Sequence, residues 1–314
     1  MTRGPIVITG ATGFVGLHLT RRLHEAARES APQKNASGDA PNIAGWSSRS
    51  VNLLNAAVVD DAVKRAQPAE IYHLAGAAHV GDSWARSTEH LEIHVRGTHH
   101  LLEAVRRHAP ECRVLVVSSG MVYRPQAGLA TEDSPIGPTS PYALSKVAEE
   151  QLALHAAAQD GLRVIVARPF NHIGPGQSAR FAPPNFARQI AEIEAGAPPR
   201  MAIGNLETRR DFTDVRDVVN AYVAMMSRGK TGGIYNVCSG VATPIRAILD
   251  ELLSMARVAV TLEVDPARLR PNDVPTMAGS AARLKDDTGW SPLIPLRQTL
   301  ADTLDDWRER VRAR

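Results

Sequence analysis

Short apolar runs of strand length recur through the first half of the chain, separated by longer stretches with helical periodicity. Pro5–Thr9 (PIVIT), Asn42–Trp46 (NIAGW), Glu70–Gly76 (EIYHLAG), Arg113–Ser119 (RVLVVSS) and Leu162–Arg168 (LRVIVAR) are such runs. Strands apolar on both faces belong in a sheet covered on both sides. Between them, Phe14–Glu29 places Val15, Leu19, Leu23 and Ala26 on one helical face, and His90–His108 and Tyr142–Asp160 repeat that period. The alternation predicts an α/β fold built on a doubly wound parallel sheet. After Arg168 the pattern changes. FNHIGPGQSARFAPPN has loop composition, and helices then interleave with a few short strands. We therefore expect one lobe over 1–170 and a smaller mixed α/β lobe over 171–314, with some chain crossing back. Ser30–Pro41 reads as a surface insertion between the first helix and the second strand.

Composition narrows the partners. The chain has 314 residues, 44% hydrophobic and 22% charged, which excludes collagenous and disordered classes. Its 36 Lys and Arg against 33 Asp and Glu leave a net charge of +3, with no basic cluster beyond short Arg pairs and the terminal WRERVRAR. That pattern suits a solvated helix end, and no nucleic-acid partner is expected. Cys112 and Cys238 lie in apolar runs and give neither a disulfide framework nor metal-ligand spacing, so no metal is expected. No apolar stretch approaches the roughly 20 residues of a membrane span. MTRG runs straight into the first strand without a leader. A cytoplasmic protein without membrane contact is the expectation.

Candidate chemistry begins at Gly10-Ala-Thr-Gly13-Phe-Val-Gly16, between a predicted strand and a predicted helix. Glycines here permit a tight turn, backbone approach to a pyrophosphate and close helix–strand packing, and the helix N-terminus faces the phosphates. The carboxylate that would bind an NAD ribose is missing at the end of the second strand, which reads Trp46-Ser47-Ser48-Arg49. Arg49 is either an acceptor for a 2′-phosphate, favouring NADPH with NADH possible, or an ordinary loop arginine. Tyr142 and Lys146 are four apart and share one helix face. The ammonium favours phenolate, so the tyrosine can exchange a proton with a carbonyl or alcohol oxygen. Ser119, ending a strand, can hydrogen-bond the same oxygen.

TGATGFVG, HLAG (His73–Gly76), Ser118–Tyr123, PYALSK (Pro141–Lys146), ARPFN (Ala167–Asn171), RDFTDVRD (Arg210–Asp217), YNVCSG (Tyr235–Gly240) and GWSP (Gly289–Pro292) follow one another along nearly the whole chain. In this order they resemble the extended short-chain dehydrogenase/reductase superfamily, in its nucleotide-sugar branch. Arg168–Gln177, Pro184–Gly196 and Gly204–Asp217 look like GDP-4-keto-6-deoxy-D-mannose reductases and the related GDP-mannose 4,6-dehydratases. The dehydratases read Thr-Asp-Glu-Val-Tyr where this chain has Ser119-Gly120-Met121-Val122-Tyr123. Neither Gly nor Met moves a proton, so dehydration is disfavoured and ketone reduction remains.

The resemblance implies a Rossmann-type fold, with catalysis by Ser119, Tyr142 and Lys146. Cofactor contacts would come from Gly10, Gly13, Phe14, Val15, Gly16, Arg49, Asn52, Leu53, Leu74, Ala75, Gly76, Tyr142, Lys146 and Phe170. Substrate contacts would come from Ser83, Ser119, Asn171, Arg210 and Arg270. Structural roles stand beside several of these: core packing for Phe170, a loop cap for Ser83, ion pairing for the two arginines. His94 replaces the family's usual Asn and receives no assigned role. The implied reaction is NADPH-dependent reduction of GDP-4-keto-6-deoxy-D-mannose to GDP-D-rhamnose, in deoxysugar and lipopolysaccharide biosynthesis. GDP-6-deoxy-D-talose, a nucleotide-sugar epimerase or dehydratase, and a non-catalytic dinucleotide sensor are the alternatives. The helices at 90–108 and 142–160 resemble those of a four-helix homodimer interface.

Overall fold

The computed structural model describes residues 4–30, 42–266 and 274–313. Most of the expected insertion (residues 31–41) and Arg270 lie outside them. The first half alternates as expected: β1 (Ile6–Thr9), α1 (Phe14–Ser30), β2 (Ile43–Trp46), α2 (Ala56–Ala66), β3 (Glu70–His73), α3 (Ser87–Leu91), α4 (Thr98–His108), β4 (Arg113–Val117), α5 (Pro141–Gln159) and β5 (Arg163–Pro169). Then come β6 (Asn171–Ile173), α6 (Ala182–Glu194), β7 (Arg200–Ile203), β8 (Arg209–Asp214), α7 (Val215–Arg228) and β9 (Ile234–Val237). β10 (Ala242–Pro244), α8 (Ile245–Ser254), β11 (Thr261–Val264), β12 (Thr276–Met277), α9 (Ala282–Thr288) and α10 (Leu296–Arg312) complete the order.

Six strands form one sheet in the order β2-β1-β3-β4-β5-β9, and every pairing is parallel. Side chains alternate across it. Val7, Ile71, Val114, Val116, Val164 and Val166 pack with α2, α4 and α5. Their neighbours Ile8, Tyr72, Leu115, Ile165 and Ala167 pack with α1 and α7. Burial on both faces is why these strands read as continuous apolar runs. The sixth strand, β9, comes from beyond residue 170 and pairs with β5. A separate core around Phe186, Ile190, Leu249, Leu300 and Trp307 joins α6, α8 and α10.

Three expected elements differ. The strands stop at His73 and Val117, so Leu74–Gly76 and Ser118–Ser119 emerge as loops at the sheet's C-terminal edge. The stretch 90–108 is not one regular helix. α3 and α4 are joined by a π-helical segment, Glu92–Gly97, whose wider turn admits an extra residue and is common near functional sites. No helix of the described residues is long and apolar enough to cross a membrane, and none of their His, Cys, Asp and Glu side chains cluster as a metal site. Both cysteines are buried and unpaired.

Candidate active site

The loops at the C-terminal edge of the sheet, where doubly wound sheets generally bind their ligands, carry many of the residues singled out in the sequence. After β1, Gly10 adopts φ +71°, a conformation open to glycine, and a Cβ on Gly16 would lie 2.3 Å from the Gly10 carbonyl oxygen. The turn and the first helical residues can therefore approach only as glycines. Gly13 lies between them, and Phe14 stacks on His172 at 6.1 Å. Val15 and Leu74 pack at the edge of the core, as does Ala75. At the end of β2, Ser47 and Ser50 bond to one another's backbone and hold a turn. Arg49 projects from it, exposed and without an ion pair among the described residues. Asn52 caps the amide of Leu54 at 3.0 Å, while Leu53 is a core residue.

Ser119 follows β4 and caps a short 3-10 turn, Gly120–Val122, accepting from the Met121 amide at 3.1 Å. Ser140 caps α5 and Pro141 occupies its first turn, which fixes where Tyr142 begins. Tyr142 and Lys146 are 8% and 7% exposed. The Tyr142 hydroxyl bonds to no other described residue. Lys146 Nζ donates to the Val117 carbonyl at 2.8 Å and to Glu149 Oε2 at 2.7 Å.

Glu149 opens a chain of buried hydrogen bonds that sequence reading missed. Its Oε1 accepts from Thr98 Oγ1 at 3.1 Å, and Thr98 meets His73 Nε2 at 2.9 Å. His73 Nδ1 meets Thr9 Oγ1 at 2.8 Å, and Thr9 accepts from the Ala75 amide at 3.1 Å. Burial, seconded by the Lys146 charge, holds the His73 imidazole down at about 3. The neighbouring Glu150 is taken by Arg168, whose Nη1 also donates to the Tyr123 hydroxyl at 2.8 Å. A Glu three residues after Lys146 has ion-pair spacing, but Glu150 at four has it equally, so the sequence does not say which carboxylate faces the lysine.

His94 has a definite place. Its Nε2 accepts from the Ala77 amide at 3.1 Å and its Nδ1 meets Ser145 Oγ at 2.8 Å, with its ring 5.8 Å from that of Tyr142. Burial and the Lys146 charge hold it well below the usual histidine range, so it is neutral. It clamps the loop after β3 to α5, and a Cβ on Gly76 would lie 2.6 Å from its ring.

A cleft of about 440 Å³ opens between the turn after β4 and the second core, lined by Met121, Asn171 and Arg210 among others. Arg210 Nη1 is held by the carbonyls of Val274 and Arg209 at 2.7 and 2.8 Å. Asp82 binds Arg180 at the cleft and His79 Nδ1 at 2.9 Å. Ser83 is fully buried, and its hydroxyl donates to the Val80 carbonyl at 2.7 Å, an internal cap rather than a cleft contact. Phe170 is 5% exposed and stacks on Tyr123 at 6.2 Å within a small apolar cluster. It also closes the space at Gly120, where a Cβ would lie 2.9 Å from three atoms of its ring.

A glycine turn opening a helix after β1, a carboxylate-free turn after β2, Ser119 after β4, and Lys146 bonded to the end of β4 with Tyr142 one turn before it are the residue types a nicotinamide dinucleotide needs. Fold and site together define an oxidoreductase of the extended short-chain dehydrogenase/reductase class. Comparison with known proteins agrees and is more specific. Residues 7–303 match the family described as GDP-mannose 4,6 dehydratase. GDP-6-deoxy-D-mannose reductase of Pseudomonas aeruginosa is 38% identical over 98% of either chain. The chain belongs to this family. GDP-mannose 4,6-dehydratase of Yersinia enterocolitica is 29% identical over 76% of this chain and 73% of its own. Among solved structures, that of RMD from Pseudomonas aeruginosa complexed with NADPH superposes with a TM-score of 0.86 at 35% identity, covering 98% of this chain and 99% of that one.

Proposed function

We propose that this protein reduces the 4-keto group of GDP-4-keto-6-deoxy-D-mannose, with NADPH as reductant, to give GDP-D-rhamnose. The observation that carries this reading is the turn after β4. Ser119-Gly120-Met121 has the hydroxyl that polarises a ketone but no carboxyl group for eliminating water, and Phe170 occupies the space a side chain at 120 would need. The full-length likeness to a reductase of the same family points the same way.

NADPH, when bound, supplies the hydride to carbon 4 of the sugar. Gly10, Gly13, Phe14, Val15 and Gly16 would hold its pyrophosphate, Arg49 its 2′-phosphate, and the Leu74–Gly76 loop its ribose side. Ser119 Oγ hydrogen-bonds the ketone oxygen. Tyr142 gives its hydroxyl proton to that oxygen as it becomes an alcohol, and recovers a proton from solvent. Ketone, NADPH and one proton thus become alcohol and NADP⁺. Lys146 holds the ribose and favours the phenolate left on Tyr142. Asn171 and Arg210 would bind the nucleotide diphosphate, Arg210 as a forked donor anchored by two carbonyls. Residues 1–170 then act as the cofactor lobe and 171–314 as the nucleotide-sugar lobe, in the cytoplasm. Leu91 and Leu144, 40% and 53% exposed on α3 and α5, would be covered in a four-helix homodimer, which sedimentation tests.

The deciding experiment mixes the protein with NADPH and enzymatically prepared GDP-4-keto-6-deoxy-D-mannose. Loss of nicotinamide absorbance with a rhamnose product by NMR is expected. No loss of absorbance, or a talose product, would overturn the reading.

A further inference from the structure

We propose that Glu149 is a positioning residue of this site: its carboxylate is the fixed counter-charge of Lys146 and, through Thr98, His73 and Thr9, ties that ammonium to the Ala75 amide of the dinucleotide loop. The proposal rests on reading Tyr142 and Lys146 as the proton-donating pair.

The chain has a direction. The Ala75 amide can only donate, so Thr9 Oγ1 accepts there. With no second acceptor among the described residues, the Thr9 hydroxyl gives its proton to His73 Nδ1. A neutral imidazole then carries its proton on Nε2, which donates to Thr98 Oγ1. Thr98 donates on to Glu149 Oε1, and Lys146 fills Oε2. Donors converge on Glu149 from both sides, as a carboxylate demands. Glu149 is 1% exposed; burial pushes its carboxyl upward, the Lys146 ammonium and the Thr98 hydroxyl draw it back, and the charge these two donors hold is neither screened by water nor free to turn away.

Other groups around Lys146 do not replace it. His73 faces it from β3, His94 from the π-helical segment and His90 from α3, and burial holds all three below the usual histidine range. Glu150 answers Arg168 of β5. Tyr222 of α7, which faces Tyr142 rather than the lysine, is buried and pushed upward. Among the described residues, Glu149 is the carboxylate left to balance the lysine.

Seven residues of helix place Glu149 roughly 10 Å from Tyr142. At that range a unit charge shifts a phenol by about half a pH unit to one unit. Glu149→Gln removes the negative charge and should let Tyr142 ionise at lower pH by that amount. Near-ultraviolet tyrosinate absorbance reads this without substrate. The chain has five tyrosines, and Tyr72, Tyr123, Tyr222 and Tyr235 are all pushed upward, chiefly by burial. Subtracting Tyr142→Phe isolates the fifth. The substituted amide has a second signature. Its carbonyl keeps Lys146 while its NH2 donates to Thr98, reversing the chain and moving the His73 proton from Nε2 to Nδ1, which imidazole NMR detects; the Thr9 hydroxyl proton then loses its imidazole acceptor, a cost the variant carries. Glu149→Asp, retaining the charge, should stay near wild type in both. A folded Glu149→Gln variant with the Tyr142 step and the His73 tautomer unmoved overturns the proposal. Should that variant not fold, wild-type protein decides: a His73 proton on Nδ1 overturns the proposal, and one on Nε2 upholds it. Neither readout uses the keto sugar, so failure here is distinct from failure to reduce it.

Discussion

Gly120 is the tightest point of the active-site turn, and its tightness can be measured. A Cβ there meets three Phe170 ring atoms at 2.9 Å, and a Cβ on Gly279 would lie 2.5 Å from the same ring. Phe170 thus packs closely on two glycines with Tyr123 stacked against it. Gly120→Ala should cost about 1–3 kcal/mol, the range for overpacking a well-filled core. In a chain of this size that lowers the melting temperature by roughly 1.5–4.5 °C. Phe170→Leu alone opens a space and should cost about 1–2 kcal/mol. Combined, the new methyl enters the space left by the ring, so the double variant should be more stable than the sum by at least about 0.5 kcal/mol. Urea unfolding of the four proteins closes the cycle. Additive costs would refute the claim that Phe170 sets the room at position 120. A chemical corollary is that Gly120→Asp with Met121→Glu should not dehydrate GDP-mannose while Phe170 is intact.

Tyr142→Phe should lower kcat for ketone reduction by about 10²–10⁴, the usual worth of a positioned acid, with NADPH binding by fluorescence nearly unchanged. Arg49→Ala should weaken NADPH by roughly 10- to 100-fold, as for one charge-assisted contact, and leave NADH alone; equal weakening of both would remove Arg49 from the 2′-phosphate. Stability should fall on acidification. His73 is held at about 3 in the fold, so between its ordinary value and that point the unfolded chain binds the extra proton. The contribution is complete above about pH 6.5 and is lost as pH falls toward 3, at about 1.4 kcal/mol per pH unit for each such histidine. Urea midpoints flat from pH 7 to about 4 would contradict the buried neutral imidazole.

The sheet was legible because its strands are apolar on both faces, and the glycine turn because no other residue fits at Gly10 and Gly16. Tyr142 and Lys146 showed as a helical spacing downstream of an apolar run that leads into Ser118-Ser119. What the sequence hid is of another kind. Glu149, Thr98, His73 and Thr9 come from four elements up to 140 residues apart, and no periodicity announces a polar chain running through a core. Ser83 and Phe170 sit in motifs beside the cleft, yet one hydroxyl turns back to its own loop and one ring fills a core. Type and spacing locate a residue on an element; which way it faces depends on partners far along the chain. The π-helical segment was invisible for the same reason, since its side chains read as ordinary helix.

The six-stranded sheet is completed beside β5 by β9, a strand that lies some 65 residues after β5 in the chain. Until Ile234–Val237 has been synthesised and docked, β5 presents Val164, Ile165, Val166 and Ala167, all buried in the finished fold, on an open strand edge. Such an edge templates aggregation. An isolated 1–170 fragment is therefore a poor choice for a free-standing cofactor-binding module, and a nascent chain of that length is a natural client for a chaperone.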